Sequence, residues 1–206
     1  PKDVTAATAA FENRPLTPLP KKKEKISQES LEKAVRMIRT SRRPYIFVGG
    51  GAVISGAAEE LATFAGLVDA PVCDSLMGKG AFDGDDPAYS GMLGMHGTKA
   101  SNFGVSRCDL LIAIGTRFSD RVIGNPKAFA RDAKILHIDI DPAEINKNIV
   151  VNADVIGDVR EVLMALNRLL EPCEHTDWKR EVEEAKERFP LTYDRSELSG
   201  PYLVEK

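Results

Sequence analysis

The sequence predicts an α/β protein with a doubly wound, Rossmann-like parallel sheet of about six strands and helices on both faces. Two observations carry that expectation. Runs such as "YIFVGGG" (45–51) and "DLLIAIG" (109–115) are short, almost continuously apolar and end in glycine, the pattern of strands buried on both faces. Between such runs lie segments whose apolar residues recur at helical spacing. Strands that alternate with amphipathic helices close right-handed crossovers onto one parallel sheet. The pattern spans residues 27–172.

Each element follows from local signals. Prolines at 1, 15, 18 and 20 and the lack of an apolar period make residues 1–26 an N-terminal linker. Leu31, Ala34, Val35 and Ile38 recur at helical spacing, with Ser27 placed to cap the helix and Pro44 to limit it. Leu61, Phe64, Ala65 and Val68 mark one face of a helix within 56–71. "PVCDS" reads as a second strand, and a helical stretch from Thr98 to Cys108 leads into "DLLIAIG", the clearest strand of the chain. "KILHIDID" (134–141) and "ADVIGD" (153–158) are further strands. Val159, Leu163, Leu166 and Leu170 then mark a helix, and the charged "TDWKREVEEAKERF" another. Residues 173–206 read as this last helix followed by a second linker from Pro190 onward. No internal repeat is visible.

Composition bounds the function. At 206 residues, with 43% hydrophobic and 29% charged residues, the chain suits one domain with arms. A net charge of −3 gives no global attraction to nucleic acid, and the "KKKEK" run (21–25) reads as solvated linker. The three cysteines, Cys73, Cys108 and Cys173, are odd in number and form no CxxC pair. Neither a disulfide framework nor a zinc site is expected, and a reducing compartment, the cytoplasm, is the simplest setting. No apolar run approaches the ~18 residues needed to span a bilayer. The chain opens without Met, on "PKDVTAATAAFENRPLTPLP", which reads as a processed start or as a piece of a longer polypeptide.

In an open α/β sheet, ligands sit beyond the carboxyl ends of the strands. Gly49, Gly50 and Gly51 follow the first strand and "SLMGKG" (75–80) the second. "LGMHGT" (93–98) precedes the third helix, "GTRFSDR" (115–121) follows "DLLIAI", "DIDP" (139–142) follows "KILHI", and "GD" (157–158) follows "VI". Glycines, small hydroxyl residues and single pointed charges at nearly every strand end suit an extended phosphorylated ligand held by backbone N–H groups and helix N-termini. Taken singly these features are weak. Ile54 breaks G-x-G-x-x-G, and Ala57 stands where a Walker loop needs Lys, so the glycines alone leave a tight strand-to-helix turn as the alternative. Asp139 is placed to accept from ribose hydroxyls or to serve as a turn residue before Pro142. Arg117 is either a planar clamp for phosphate or a surface ion-pair partner.

His96 has no metal-ligating company: His137 and His175 are distant, and no Cys or carboxylate stands at ligand spacing. No G-x-S-x-G elbow accompanies it. A glycine-flanked histidine at a helix start belongs instead to a ligand cradle.

Taken in order, "RPYIFVGGGA", "SLMGKGAFDGDDP", "GMLGMHGTKASN", "DLLIAIGTRFSDRVIG", "KILHIDIDPAEINKN" and "VIGDV" closely resemble the central domain of the acetohydroxyacid synthase (acetolactate synthase) large subunit, a thiamine-diphosphate enzyme family. The resemblance covers roughly residues 27–172 and makes this a central FAD-binding domain flanked by linkers. It implies FAD contacts at Gly49, Gly50, Gly51, Ser75, Leu76, Met77, Leu93, Gly94, Met95, His96, Gly115, Thr116, Arg117, Arg121, Val122, Asp139, Ile140, Gly157 and Asp158. Ser119 departs from the family, many of whose members carry Asp there. Asp120 and Arg121 are implied to face the substrate channel of the assembled enzyme.

The resemblance further implies a parent transferase that joins pyruvate to a second 2-oxo acid, pyruvate or 2-oxobutyrate, with loss of CO2 in branched-chain amino-acid biosynthesis. Thiamine diphosphate and Mg²⁺ would be held elsewhere, by a glutamate of the N-terminal domain and a Gly-Asp-Gly motif of the C-terminal domain. No Gly-Asp-Gly occurs here; "DGD" at 83–85 has the wrong order. No catalytic residue is therefore assigned to this chain. Implied partners are the other domains of the same large subunit, a homodimer or homotetramer, and a small regulatory subunit, with no nucleic acid and no membrane. Two other readings compete: the middle domain of a pyruvate oxidase or glyoxylate carboligase type of enzyme, and a freestanding nucleotide-binding module like the flavin domain of electron-transfer flavoproteins.

Overall fold

Strands β1 (Pro44–Val48), β2 (Val72–Asp74), β3 (Tyr89–Met92), β4 (Leu110–Ile114), β5 (Lys134–Asp139) and β6 (Ala153–Ile156) pair in parallel as one open sheet. The computed structural model describes residues 6–8, 10 and 26–205, so the expected linker 1–26 and its "KKKEK" run lie almost wholly outside the described residues. Strand order is β3-β2-β1-β4-β5-β6, with the chain reversing direction across the sheet between β1 and β4. This is the doubly wound order in which the crevice at the reversal serves as the ligand site.

Side-chain alternation divides the core between the two faces. Ile46 and Val48 of β1 point with Ile112 and Ile138 toward helices α1 (Gln28–Thr40), α3 (Ala58–Val68) and α6 (Val159–Leu169). Tyr45 and Phe47 point with Leu111 and Ala113 to the opposite face, covered by α4 (Lys99–Arg107) and α7 (Thr176–Arg188). Phe64 and Leu61 are wholly buried on α3, each stabilising the fold by about 1.5–3 kcal/mol. A five-residue helix, α2 (Gly50–Ile54), starts directly after β1, and a four-residue α5 (Asp120–Ile123) follows β4.

Local chemistry sets the boundaries. Ser27 caps α1 by accepting from the Ser30 N–H, and Thr98 caps α4 by accepting from the Ser101 N–H. Asp158 caps α6 by accepting from Arg160 and Glu161. Helix α3 ends at Asp69, left-handed at φ 52°, whose carboxylate holds Lys179 of α7. Trp178 of α7 donates its indole N–H to the Pro44 carbonyl at 2.8 Å. In the stretch read as linker, a short helix α8 (Gly200–Glu205) forms.

Edge strand β3, "YSGM", carries no apolar run and is held by hydroxyls. Ser90 donates to the Val72 carbonyl at 2.9 Å and contacts the Tyr45 and Ser101 hydroxyls, while Thr98 donates to the Ser90 carbonyl at 2.7 Å. Buried hydroxyls satisfied in this way hold a strand that hydrophobic pattern alone does not announce.

Candidate functional site

Every candidate residue sits at the carboxyl edge of the sheet or in a turn beyond it. At the reversal the turns after β1 and β4 meet backbone to backbone. A Cβ on Gly49 would stand 2.2 Å from the Gly115 carbonyl oxygen, and one on Gly51 2.7 Å from the Gly115 Cα. The N–H groups of Gly49, Gly51 and Gly115 donate to the carbonyls of Ile114, Gly115 and Ile138. These three glycines thus seal the two turns together, and their N–H groups are engaged within the protein. What they leave at the crevice is a floor without side chains.

The turn after β2 is folded by Ser75, which donates its N–H to the Val48 carbonyl and accepts the Gly78 N–H on its hydroxyl. Gly78 has no room for a Cβ, which would lie 2.3 Å from the Val48 oxygen. That turn lifts Leu76 and Met77 outward, 70% and 74% exposed. After β3, Leu93 is buried and Gly94, at φ 104°, lies against Arg121 and Val122. Met95 donates its N–H to the Arg121 carbonyl at 3.0 Å, which joins the β3 and β4 turns. Met95 and His96 are left on the surface beside them. Leu76, Met77, Met95 and Ile140 are large apolar side chains exposed along the ends of three strands, an arrangement that a bound ring system or a neighbouring domain would bury.

Polar groups occupy the β4–β5 side. Thr116 is buried, and its carbonyl accepts from His137 Nε2 at 2.9 Å, which fixes the Nε2–H tautomer and leaves Nδ1 without a partner. Phe118 is left-handed at φ 51° and packs its ring on Phe47, Phe129 and His137, turning Arg117 out to solvent. Ser119 precedes α5 without a side-chain capping bond, and Asp120 accepts from the Arg121 N–H. Asp139 is 7% exposed at the end of β5. Burial opposes its ionisation, but the His137 ring 3.7 Å away and the Asp141 N–H at 2.9 Å outweigh that and hold its carboxyl below the usual range. Gly157 donates to the Asp139 carbonyl, bringing the β6 turn and Asp158 alongside, where Asp158 Oδ1 is occupied in capping α6.

Sequence reasoning missed several residues of this edge. Asp74, 4% exposed, accepts the Tyr89 hydroxyl at 2.8 Å and has Lys79 Nζ 3.6 Å away. Burial, then that bond to Asp74, raises the Tyr89 hydroxyl above its ordinary range. Glu144 is buried beneath Arg117 and Lys147. An acid at a strand end for Asp74, and the i,i+3 spacing of Glu144 and Lys147, were the available signals. Among the described residues no group of three or more His, Cys, Asp or Glu gathers as a metal site, and no helix is long and apolar enough to cross a membrane. A cleft of about 520 Å³ between β3 and α7, lined by Asp85, Thr98, Glu183 and Phe189 among others, contains none of the strand-end candidates.

A six-stranded, all-parallel open sheet with helices on both faces and a glycine-sealed crevice at its carboxyl edge defines a doubly wound α/β domain. Residues 31–166 match the family described as "Thiamine pyrophosphate enzyme, central domain", and the chain belongs to that family. It is 48% identical, over 90% of its length, to the probable acetolactate synthase large subunit of Methanocaldococcus jannaschii, covering 33% of that protein. It is 44% identical to the chloroplastic acetolactate synthase 1 of Zea mays over 86% of its length and 29% of the relative's. Against the acetolactate synthase of Mycobacterium leprae the identity is 39% over the whole chain and 35% of the relative. The chain thus spans about a third of the length of these curated relatives.

Proposed function

We propose that this chain is the FAD-binding central domain of an acetolactate synthase large subunit. The observation that carries the reading is the carboxyl edge itself. Apolar side chains stand exposed at the β2 and β3 ends, an ionised carboxylate and a solvent-facing guanidinium stand at the β5 and β4 ends, and the relatives are named acetolactate synthases. The residues fit a flavin dinucleotide in one orientation. Asp139 accepts ribose hydroxyls, Arg117 faces the diphosphate, and Leu76, Met77 and Met95 cover the ring system. The sealed glycines keep side chains out of the crevice between.

The parent enzyme would join pyruvate to pyruvate or 2-oxobutyrate with loss of CO2, in the cytoplasm or an equivalent compartment. Thiamine diphosphate and Mg²⁺ on neighbouring domains would supply the electron sink for that chemistry, with no hydride to be accepted. FAD at this edge is then architectural, ordering the β2, β3 and β4 turns where Asp120 and Arg121 face the substrate channel. The large subunit's other domains, a dimer or tetramer of it, and a small regulatory subunit complete the assembly.

Titration of the purified chain with FAD tests this, read by flavin fluorescence or calorimetry. Arg117→Ala should weaken binding by about tenfold, the loss of one charge-assisted contact. Arg131→Ala, exposed and remote from the edge, should change it by less than about twofold. Equal losses at both positions would reduce the effect to nonspecific charge, and binding indifferent to Arg117 would put the diphosphate elsewhere.

A further inference from the structure

The turns after β4 and β5 are laced together around one buried acid. His137 reaches the Thr116 carbonyl, and Asn148 donates to the Arg117 carbonyl at 3.0 Å. Between them Glu144 has its side chain only 7% exposed, with Oε1 2.8 Å from Lys147 Nζ and 3.8 Å from Arg117 Nε. Its Oε2 is buried and has no hydrogen-bond partner. One cation suffices to neutralise a buried carboxylate. Here two converge on the same oxygen while the other goes without, and both cationic side chains stay open to solvent, Lys147 at 54% and Arg117 at 79%. Two cations against one carboxylate leave the group net positive, displayed outward on a rigid anchor. Asp139 and Asp141 stand on the adjoining turn, but each uses its Oδ1 on a backbone N–H, those of Asp141 and Ala143. Their other oxygens suit hydroxyl donors rather than phosphate.

We propose that Lys147, positioned by Glu144, is the second cation of a phosphate clamp whose first is Arg117, and that the clamp takes a phosphate of the nucleotide whose ribose lies on Asp139. This rests on the nucleotide-binding reading above and adds Lys147 and Glu144 to it. Glu144 is a positioning residue, because it acts through the two cations. Holding both heads near one point removes rotamer freedom before a phosphate arrives, so less is lost on binding.

Calorimetric titration of the full chain with adenosine, ADP and FAD separates the possibilities. Lys147→Met should weaken ADP by about tenfold and leave adenosine within about twofold, while Lys147→Arg should keep most of the ADP affinity. Glu144→Gln should weaken ADP by a smaller factor, read beside its thermal midpoint. A purely structural Lys147 would lower the thermal midpoint and weaken ADP and adenosine in the same proportion, which would overturn the clamp. So would ADP binding indifferent to Lys147→Met, or no ADP binding at millimolar concentration. If ADP follows Lys147 while FAD does not bind, the clamp stands and the flavin reading falls. If FAD binds and depends on Arg117 but not on Lys147, the flavin reading stands and the clamp falls.

Discussion

At Gly115 the backbone turns left-handed, φ 58°, directly against the chain of Gly51, where a Cβ would come within 2.7 Å of the Gly51 Cα. Ala at this position would combine left-handed strain with overpacking against backbone that cannot swing away. Gly80 offers the control: it too is left-handed, φ 86°, but a Cβ there would meet nothing within 4 Å. Gly115→Ala should lower stability by about 3 kcal/mol and Gly80→Ala by about 1 kcal/mol, measured by urea denaturation. Similar losses at both would mean that the two turns separate easily and do not form a fixed floor. The glycines after "YIFV" and "LLIAI" were legible as turn residues. That they face each other across the sheet was not, since only the β1–β4 pairing brings them together. Arg117 shows the same limit. The sequence left open a phosphate clamp or an ion pair, and the acid beneath it, Glu144, lies 27 positions further on, brought close by the β4–β5 pairing.

At the scale of elements, Asp109 ties the end of α1 to the start of β4. Burial opposes its ionisation, but the Ser41 hydroxyl and the N–H groups of Arg42 and Arg43 donate to its carboxylate and hold its carboxyl below the usual range. Asp109→Ala would strand three donors at the turn entering β1 and should cost about 2 kcal/mol, less than fully buried bonds would because the site is half exposed. Asp109→Asn, which keeps one good acceptor, should fall between. A change below about 0.5 kcal/mol for the alanine variant would show that water replaces the carboxylate without loss. The elements on either side of this joint were readable because aliphatic burial wrote them: β1, β4 and β5 appear as apolar runs, and α3 and α6 as single buried faces. Strand β3 was not readable, since Ser90, Gly91 and Thr98 hold it through hydroxyls and a close Gly91–Thr98 contact. Helix α2 was missed for a related reason. It starts within the glycines themselves, Gly50 and Gly51, which local propensity assigns to a turn.

Across the whole molecule, three carboxylates stabilised in ionised form sit at joints between elements. Asp69 links the end of α3 to α7 through the His175 N–H and Lys179, Asp109 links α1 to β4, and Asp139 links β5 to the turns after it. In all three, burial favours the neutral acid but bonded donors or nearby charge prevail, so the folded carboxyl ionises below its ordinary range. A carboxyl whose pKa is lower in the folded than in the unfolded chain stabilises fully above the unfolded value, near pH 4, and that contribution is lost as pH falls through the folded value. The urea midpoint should therefore stay nearly constant from about pH 6 to pH 5 and fall steeply below about pH 4. The Asp69 and Asp109 joints share no direct partner, but His175, whose N–H donates to Asp69, also reaches the Ser41 carbonyl at 3.2 Å. The Ser41 hydroxyl donates to Asp109, so the two joints are coupled through one bond network. Asp69→Asn and Asp109→Asn should each flatten the acid limb, and the double variant should flatten it further, its departure from the sum measuring the coupling through His175 and Ser41. A midpoint that rises on acidification would reverse the sign of the effect, and an acid limb unchanged in the double variant would move its origin to other carboxylates. Asp139 adds a functional reading to the same titration. Protonating it removes the charge from the acceptor proposed for ribose and weakens that contact, so FAD affinity should fall over the same acid range while the fold is still intact in the absence of urea.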